Sequence, residues 1–201
     1  MSEFERWEGR FSAPGYVFGT APNAFLKSQA HLLKPGQKAL TLADGEGRNG
    51  VWLAEQGLDV LAVDFSPTTL EKSRKLAAER GVSLRTQQAD LAAWDWPREA
   101  FDVVVGIFFQ FADPVQRPAF FAGIKRALKP GGVLLMQNYR TEQLKYRTGG
   151  PAEIERLYTR TLLQEAFGDF ASLEINEHDS IISEGARHVG MSALIDLVGK
   201  K

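Results

Sequence analysis

Apolar positions in this chain fall into two alternating patterns, short continuous runs and stretches with helical spacing. The runs predict five strands, at Lys38–Ala43, Asp59–Val63, Ser83–Gln87, Phe101–Ile107 and Val133–Gln137. The helical stretches between them predict helices at Asn49–Gln56, Pro67–Arg80 and Pro114–Leu128. Alternating strands and helices require a parallel sheet with right-handed crossovers and helices on both faces, so the predicted fold class is α/β.

The two ends of the chain depart from this alternation. Residues Met1 to Lys34 are rich in Phe, Tyr, Gly and Pro and contain one predicted helix, Ala24–Leu33. After the fifth strand the sequence predicts a polar loop, a helix and two strands joined by a tight turn, at Tyr139–Pro151, Ala152–Phe167, Ser172–Ser183 and Arg187–Val198. We therefore expect a seven-stranded, mostly parallel sheet that ends in an antiparallel hairpin.

Composition limits the class of protein further. With 201 residues, 44% of them hydrophobic and 24% charged, the chain fits one globular domain. A net charge of −1 gives no basic field for nucleic acid or an anionic membrane. The chain has no cysteine, and its three histidines have no ligand-like spacing, so no metal site is predicted. The sequence shows no signal-like or membrane-spanning stretch, so we expect a cytoplasmic protein. We also expect a monomer or a weak homodimer.

The segment from Ala39 to Asp64 is the most informative one for function. Glycines at 45 and 47 let the backbone turn sharply and approach a ligand, and the helix that follows points its first amides at the same place. Asp64 lies 19 residues past Gly45, near the spacing of about 20 expected for an acid that binds ribose hydroxyls. This pattern predicts an adenosine cofactor. Because Gly45 to Gly50 also reads G-x-G-x-x-G, a dinucleotide-dependent dehydrogenase is one interpretation.

Other motifs favour a different family. Six features follow one another along the chain: the glycine loop, Asp64, Asp90-Leu91, the strand from Phe101, Lys129-Pro130-Gly131-Gly132 and the terminal hairpin. This order resembles that of the class I S-adenosylmethionine-dependent methyltransferases, and it covers nearly the whole chain. Tyr16 to Gly19, Pro22-Asn23 and Gly45 to Asn49 resemble the tellurite-resistance-type branch of small bacterial methyltransferases. The resemblance implies a Rossmann-like methyltransferase fold and S-adenosyl-L-methionine as cofactor.

The first strand departs from the family pattern. The class usually carries an acidic residue two positions before the first glycine of x-Gly-x-Gly-x-Gly, and this alignment places Thr41 and Ala43 at the acidic and glycine positions. The missing carboxylate normally orders the loop and senses the methionine ammonium. Asp44 is the candidate replacement inside the loop; without such a replacement, cofactor affinity is reduced rather than abolished.

The residues expected to form the site fall into three groups. Expected cofactor-binding residues are Tyr16, Ala43, Asp44, Gly45, Glu46, Gly47, Arg48, Asn49, Asp64, Phe65, Ser66, Asp90, Leu91, Gly106, Ile107 and Phe108. Expected substrate-binding residues are Phe18, Tyr139, Arg140 and Arg187, and the catalytic candidates are His188 and Tyr146. We divide the domain into an N-terminal lid and helix (1–34), a cofactor-binding core (35–138) and acceptor-side elements (139–201).

Methyl transfer is an in-line displacement, so the protein mainly aligns the reacting groups and excludes water. We expect a small-molecule acceptor, such as a chalcogen oxyanion (tellurite, for example) or a thiol-like group. A nicotinamide-dependent oxidoreductase is the alternative enzyme, but no hydride-site Tyr/Lys or His constellation is present in the sequence. A non-catalytic S-adenosylmethionine-binding protein is the third possibility.

Overall fold

A computed structural model of the protein describes residues 3–185 and 188–201. Seven strands form one sheet in the order β3-β2-β1-β4-β5-β7-β6. Strands β1 to β5 are parallel, and β7 lies antiparallel between β5 and β6. The strands are β1 Lys38–Leu42, β2 Asp59–Asp64, β3 Arg85–Gln88, β4 Phe101–Ile107, β5 Leu128–Tyr139, β6 Ser172–Glu184 and β7 His188–Lys200. This arrangement confirms the predicted α/β fold class and the closing hairpin.

Seven helices connect or flank these strands. They are α1 Glu3–Phe11, α2 Ala24–Ser28, α3 Arg48–Glu55, α4 Pro67–Glu79, α5 Arg117–Ala127, α6 Gln143–Tyr146 and α7 Arg160–Phe167, with 3-10 turns at Ala30–Leu32 and Ile154–Arg156. Helix α4 starts where its sequence predicts, because the Ser66 Oγ accepts the Thr69 N–H at 3.1 Å and Pro67 occupies the first helical position.

The centre of the sheet is buried on both faces. In β4, Val104 belongs to the apolar cluster that includes Phe120 of α5, whereas Val103 belongs to the cluster on the other face, with Trp52 of α3. All of these side chains are less than 10% exposed. An unbroken apolar run such as β4 is therefore typical of a strand covered by helices on both sides.

Two predicted helices are interrupted. The predicted helix Ala24–Leu33 is the short α2 followed by a 3-10 turn. The predicted helix Ala152–Phe167 is a 3-10 turn and then α7, because Tyr158 is completely buried between them and its N–H donates to the Tyr139 carbonyl at 3.0 Å. Burial of one large ring at the sheet edge thus overrides the local helical preference.

Other predicted boundaries also differ from the structure. The sequence Lys129 to Gly132, predicted as a turn, lies inside β5 as an irregular stretch, where the pairing of β4 with β5 shifts register and Gly131 has φ of 76°. The predicted loop Tyr139–Pro151 contains α6, and its first residue ends β5. Helix α1 was not predicted, although its aromatic residues Phe4, Trp7 and Phe11 have the i, i+3, i+7 spacing of one helix face.

Gly47 generates a prediction about stability. A Cβ on Gly47 would lie 2.8 Å from Ser73 Cα in α4, and its φ of 93° already disfavours a side chain. We expect Gly47→Ala to lower the free energy of unfolding by about 1–3 kcal/mol more than Gly81→Ala does, because overpacking adds to backbone strain. Gly81 is the matched control, with φ of 69° and no atom of the described residues within 4 Å of its added Cβ. Urea denaturation of both variants provides the test; equal losses would show that α4 yields to the new methyl group.

Candidate active site

A cavity of about 830 Å³ lies at the carboxyl ends of the parallel strands. Open α/β sheets bind ligands at this edge. Residues from widely separated predicted positions meet there: Phe18, Ala43, Asp44, Gly45, Glu46, Arg48, Asn49, Asp64, Phe65, Asp90, Leu91, Ile107, Phe108, Tyr139 and His188. The cavity has one end at the glycine loop and β2, and another at the hairpin.

The glycine loop brings backbone close to the cavity. Gly45 has φ of 61°, and a Cβ added there would meet no atom of the described residues within 4 Å, so it would point into open space. Ala43, at the end of β1, also has positive φ, 47°, which is uncommon for a residue with a side chain. Left-handed backbone at such a position is typical of a ligand site, where the chain is held in a strained shape by its surroundings.

The Asp64 carboxylate fixes this loop to the end of β2. One of its oxygens accepts the Gly45 N–H at 2.9 Å, and the other accepts the Ser66 N–H at 3.0 Å. Burial raises the pKa of Asp64, and these amide donors oppose the rise. Because each carboxylate oxygen has two acceptor positions, Asp64 retains capacity for ligand hydroxyls at the cavity wall.

Asp44 supplies a second carboxylate at the first turn of α3. Its two oxygens each lie 3.2 Å from the Gly50 N. Desolvation raises the pKa of Asp44 to about 7, and the nearby Asp64 charge adds to the rise. Thr41 is buried in β1, and its hydroxyl has no hydrogen-bond partner among the described residues. Asp44 and Glu46 are the acidic residues of this loop that line the cavity.

Aromatic rings form the opposite end of the cavity. Phe108, with φ of 51° just after β4, stacks on Tyr139 with ring centres 4.6 Å apart. The His188 ring lies 4.5 Å from Phe108 and 4.6 Å from Phe18. These four rings come from the N-terminal segment, β4, β5 and the hairpin, and together they make the wall at this end of the cavity.

Two polar atoms in this aromatic wall lack protein partners. The Tyr139 hydroxyl and the His188 Nδ1 are buried without a hydrogen-bond partner in the described part of the chain. Burial, with the positive charges of Arg48 and Arg10, lowers the pKa of His188 to about 3, and burial raises the pKa of Tyr139. His188 is therefore neutral and Tyr139 protonated at neutral pH, so the pair offers one imidazole nitrogen as a hydrogen-bond acceptor and one hydroxyl as a donor.

A buried polar network, absent from the sequence predictions, joins the hairpin to the glycine loop. The Arg48 guanidinium and the Glu184 carboxylate lie 2.7 Å apart, with side chains 8% and 10% exposed. The Asn23 amide donates to Glu184 at 2.9 Å and to the Gln137 side chain at 2.7 Å. No sequence signal marks Glu184, since its partners Asn23 and Arg48 come from two distant segments.

Gln110 is a second functional residue that sequence reasoning missed. Its side-chain amide donates to the Tyr139 carbonyl at 2.7 Å, and its oxygen accepts the Tyr139 N–H at 2.6 Å. These two hydrogen bonds resemble the pairing made by a neighbouring strand, and they fix the backbone of Tyr139 at the end of β5. Gln110 therefore orients the ring that faces the cavity.

Several expected site residues lie elsewhere. Tyr16 donates its hydroxyl to the Lys72 carbonyl at 3.4 Å, Ser66 caps α4, and Gly106 packs closely on the Phe109 ring. Gly47, as described above, faces α4. These residues support the cavity and do not line it.

Two acceptor-side candidates lie at the surface. Arg140 and Tyr146 both contact the Asp179 carboxylate, the latter at 2.6 Å. Neither lines the cavity. Arg187, the remaining substrate-binding candidate, lies outside the described residues.

The N-terminal segment covers the site, beginning at Phe4. Phe4, Trp7 and Phe11 of α1 line the cavity, and the Phe4 ring lies 5.6 Å from that of Phe65. Glu8 contacts the hydroxyls of Ser66 and Thr68 at the start of α4. Met1 and Ser2, part of the predicted lid, lie outside the described residues.

Comparison with known proteins gives a family match for the central part of the chain. Residues 39–132 match the family described as methyltransferase domain. Demethylmenaquinone methyltransferase of Thermus thermophilus is 34% identical over 110 residues, which are 54% of this chain and 50% of that protein. The structure of TehB from Haemophilus influenzae has a TM-score of 0.73 and 18% identity over 98% of this chain and 66% of that one. A structure described for the conversion of a disulfide bond into a thioacetal group during echinomycin biosynthesis has a TM-score of 0.79 and 16% identity, over 100% and 92%.

Residues 39–132, just under half of the chain, thus resemble a methyltransferase domain, and S-adenosyl-L-methionine is the cofactor that this family implies. This result replaces the dinucleotide interpretation of the glycine motif. The matched region spans half or less of the length of the first curated relatives. Within the described residues, no helix is long and apolar enough to cross a membrane, and no cluster of three or more His, Asp or Glu side chains could hold a metal ion.

The raised pKa of Asp44 predicts a pH dependence. Between its unfolded value of 3.8 and its folded value of about 7, the folded protein holds more protons at this group than the unfolded chain does. The contribution of Asp44 to the free energy of unfolding is therefore present at low pH and is lost as pH rises through about 7. We expect Asp44→Asn to gain stability relative to the parent protein over this range, in urea denaturation. A difference that does not change with pH would show that Asp44 ionises at its ordinary pKa.

Proposed function

We propose that this protein transfers the methyl group of S-adenosylmethionine to a small molecule with a chalcogen nucleophile, either an oxyanion such as tellurite or a thiol-like group. The observation that carries this proposal is the single cavity in which a glycine loop, two carboxylates and an aromatic wall meet. S-adenosylmethionine supplies an electrophilic methyl group on a sulfonium, and the residues of this chain hold and enclose the reacting groups.

The residues present fit the cofactor. Gly45 leaves open space at the strand end, and Asp64 offers a carboxylate for ribose hydroxyls. Strand β1 lacks the acid that contacts the methionine ammonium in the family. Asp44 is the candidate replacement, because its negative charge suits a cation. Phe65, Asp90 and Leu91 line the same end, in the positions that the family resemblance gives to adenine contacts.

The acceptor end favours a small molecule. Its walls are Phe18, Phe108, Tyr139 and His188, and the N-terminal segment lies over it, so a folded macromolecule has no direct approach. Arg147 also lines the cavity, and a guanidinium group favours an anionic acceptor. The Tyr139 hydroxyl is positioned to donate to such an anion, and the unpaired Nδ1 of the neutral His188 can accept a hydrogen bond from a thiol.

The fold likeness to TehB supports the tellurite alternative only through shared architecture, because the two chains are 18% identical. A non-catalytic S-adenosylmethionine-binding protein is the second candidate, and Thr41 is the observation that favours it. Binding without product formation would distinguish that candidate from an enzyme.

Asp64→Ala should weaken S-adenosylmethionine binding by about 1.5–3 kcal/mol, the value of hydrogen bonds to a charged group. Asp59→Ala is the matched control, because Asp59 lies at the opposite end of β2 in an exposed pair with Arg85. Calorimetric titration measures both affinities. A folded Asp64 variant with the parent affinity would remove this carboxylate from the cofactor site.

The acceptor proposal is tested by measuring S-adenosylhomocysteine release with tellurite, selenite, thiols and small amines. His188→Phe keeps a ring against Phe18 and Phe108 but removes the nitrogen. We expect this change to lower kcat/KM for thiols by about 10-fold, the value of one lost hydrogen bond, and to affect an acceptor without a proton to donate much less. His31→Asn, at an exposed site distant from the cavity, serves as the control. Tight cofactor binding with no product from any acceptor would instead support the non-catalytic protein.

A further inference from the structure

Glu46, the residue between the two loop glycines, contacts protein groups with both carboxylate oxygens. It is 4% exposed. One oxygen accepts the Val17 N–H at 2.6 Å and lies 3.3 Å from the Phe18 N. The other oxygen lies 2.8 Å from the Lys72 ammonium. The sequence pattern placed Glu46 among cofactor contacts, yet its carboxylate is directed to the segment that covers the site.

Lys72 completes this arrangement from α4. Besides Glu46, its ammonium donates to the Ala13 carbonyl at 2.8 Å and to the Gly15 carbonyl at 2.7 Å. All three donor positions of the ammonium are thus used, and the side chain is 18% exposed. We call Glu46 and Lys72 the clamp, because their side chains contact each other and together bond four backbone groups of residues 13–18.

The clamp acts on a residue of the acceptor wall. Phe18, whose N–H faces Glu46, places its ring 4.6 Å from His188. The backbone of Phe18 also lies against Gly185 at the hairpin turn, where an added Cβ would come within 2.3 Å of the Phe18 carbonyl carbon. Only a glycine at 185 allows this approach. The position of Phe18 is therefore set from two sides, by the glycine loop and by the hairpin.

We propose that Glu46 and Lys72 are positioning residues that hold the segment 13–18 closed over the acceptor end of the cavity. The covering segment is bonded to the glycine loop itself, so a ligand that orders this loop also orders the segment. Because charge-assisted hydrogen bonds are stronger than neutral ones, loss of either charge weakens the closed arrangement. The link to acceptor binding rests on the proposed function; the closure itself does not.

Amide hydrogen exchange at Val17 and Phe18 tests the clamp in the full-length protein. We expect Lys72→Met and Glu46→Gln to speed exchange at these two amides by about 10-fold or more. Lys75→Met is the matched control, since Lys75 is on the same helix, 72% exposed, with only a 4.0 Å contact to Glu79. Lys72→Arg should restore most of the protection, because it keeps the charge.

A second readout separates positioning from simple stability. In Lys72→Met the KM for whichever acceptor of the panel above is methylated should rise by about 10-fold or more, while amides outside residues 13–18 exchange as they do in Lys75→Met. Unchanged exchange at Val17 and Phe18 in both clamp variants would overturn the proposal, and so would equal acceleration throughout the domain. If Glu46→Gln fails to fold, Lys72→Met still decides, because its side chain lies nearer the surface.

The same experiment distinguishes failure of the clamp from failure of the proposed function. In the parent protein, S-adenosylmethionine should slow exchange at Val17 and Phe18. If it binds nowhere and no methyl transfer occurs, the proposed function is wrong, while faster exchange in the ligand-free variants would still support the clamp. If methyl transfer occurs and the variants exchange like the parent protein, the clamp is wrong and the function stands.

Discussion

The buried ion pair between Arg48 and Glu184 connects the two halves of this site. Arg48 begins the helix that follows the glycine loop, and Glu184 ends the strand before the hairpin turn. Removing two charges from water is unfavourable, and the pair is compensated by its 2.7 Å contact and by the Asn23 amide. Such a pair contributes more to geometry than to stability, because leaving either charge alone in this environment is strongly unfavourable. His188 follows the hairpin turn, and the Arg48–Glu184 ion pair holds this turn beside the cavity.

Strain at two strand ends marks where the chain approaches its ligand. Ala43 and Phe108 adopt left-handed backbone at the ends of β1 and β4, which are neighbours in the sheet. Neither residue is glycine, so each conformation carries an energetic cost that the surrounding packing must offset. Phe108 is held by its stacking on Tyr139, whose backbone Gln110 fixes in turn. The aromatic wall is therefore rigid from β4 to β5.

The acid–base character of the cavity follows from the same burial. Asp44 is close to half-ionised at neutral pH, whereas His188 is kept neutral by desolvation beside positive guanidinium groups. The two ends of the cavity thus differ in ionisation, with a partly ionised carboxylate near the glycine loop and a neutral imidazole near the hairpin. A cationic cofactor suits the carboxylate end.

Sequence alone determined the parts of this protein that depend on local pattern. The apolar run of β4, the cap at Ser66 and the spacing from Gly45 to Asp64 are properties of contiguous residues, and they predicted the α/β sheet and the cofactor edge. Tertiary structure decided what depends on partners distant in the chain. Glu46 turned toward residues 17 and 18, Gly47 packed on α4, and Tyr158 interrupted a helix, because burial and close packing outweighed local preference. Glu184 and Gln110 carry no sequence signal, since their roles exist only once the sheet brings residues from distant segments into hydrogen-bond distance.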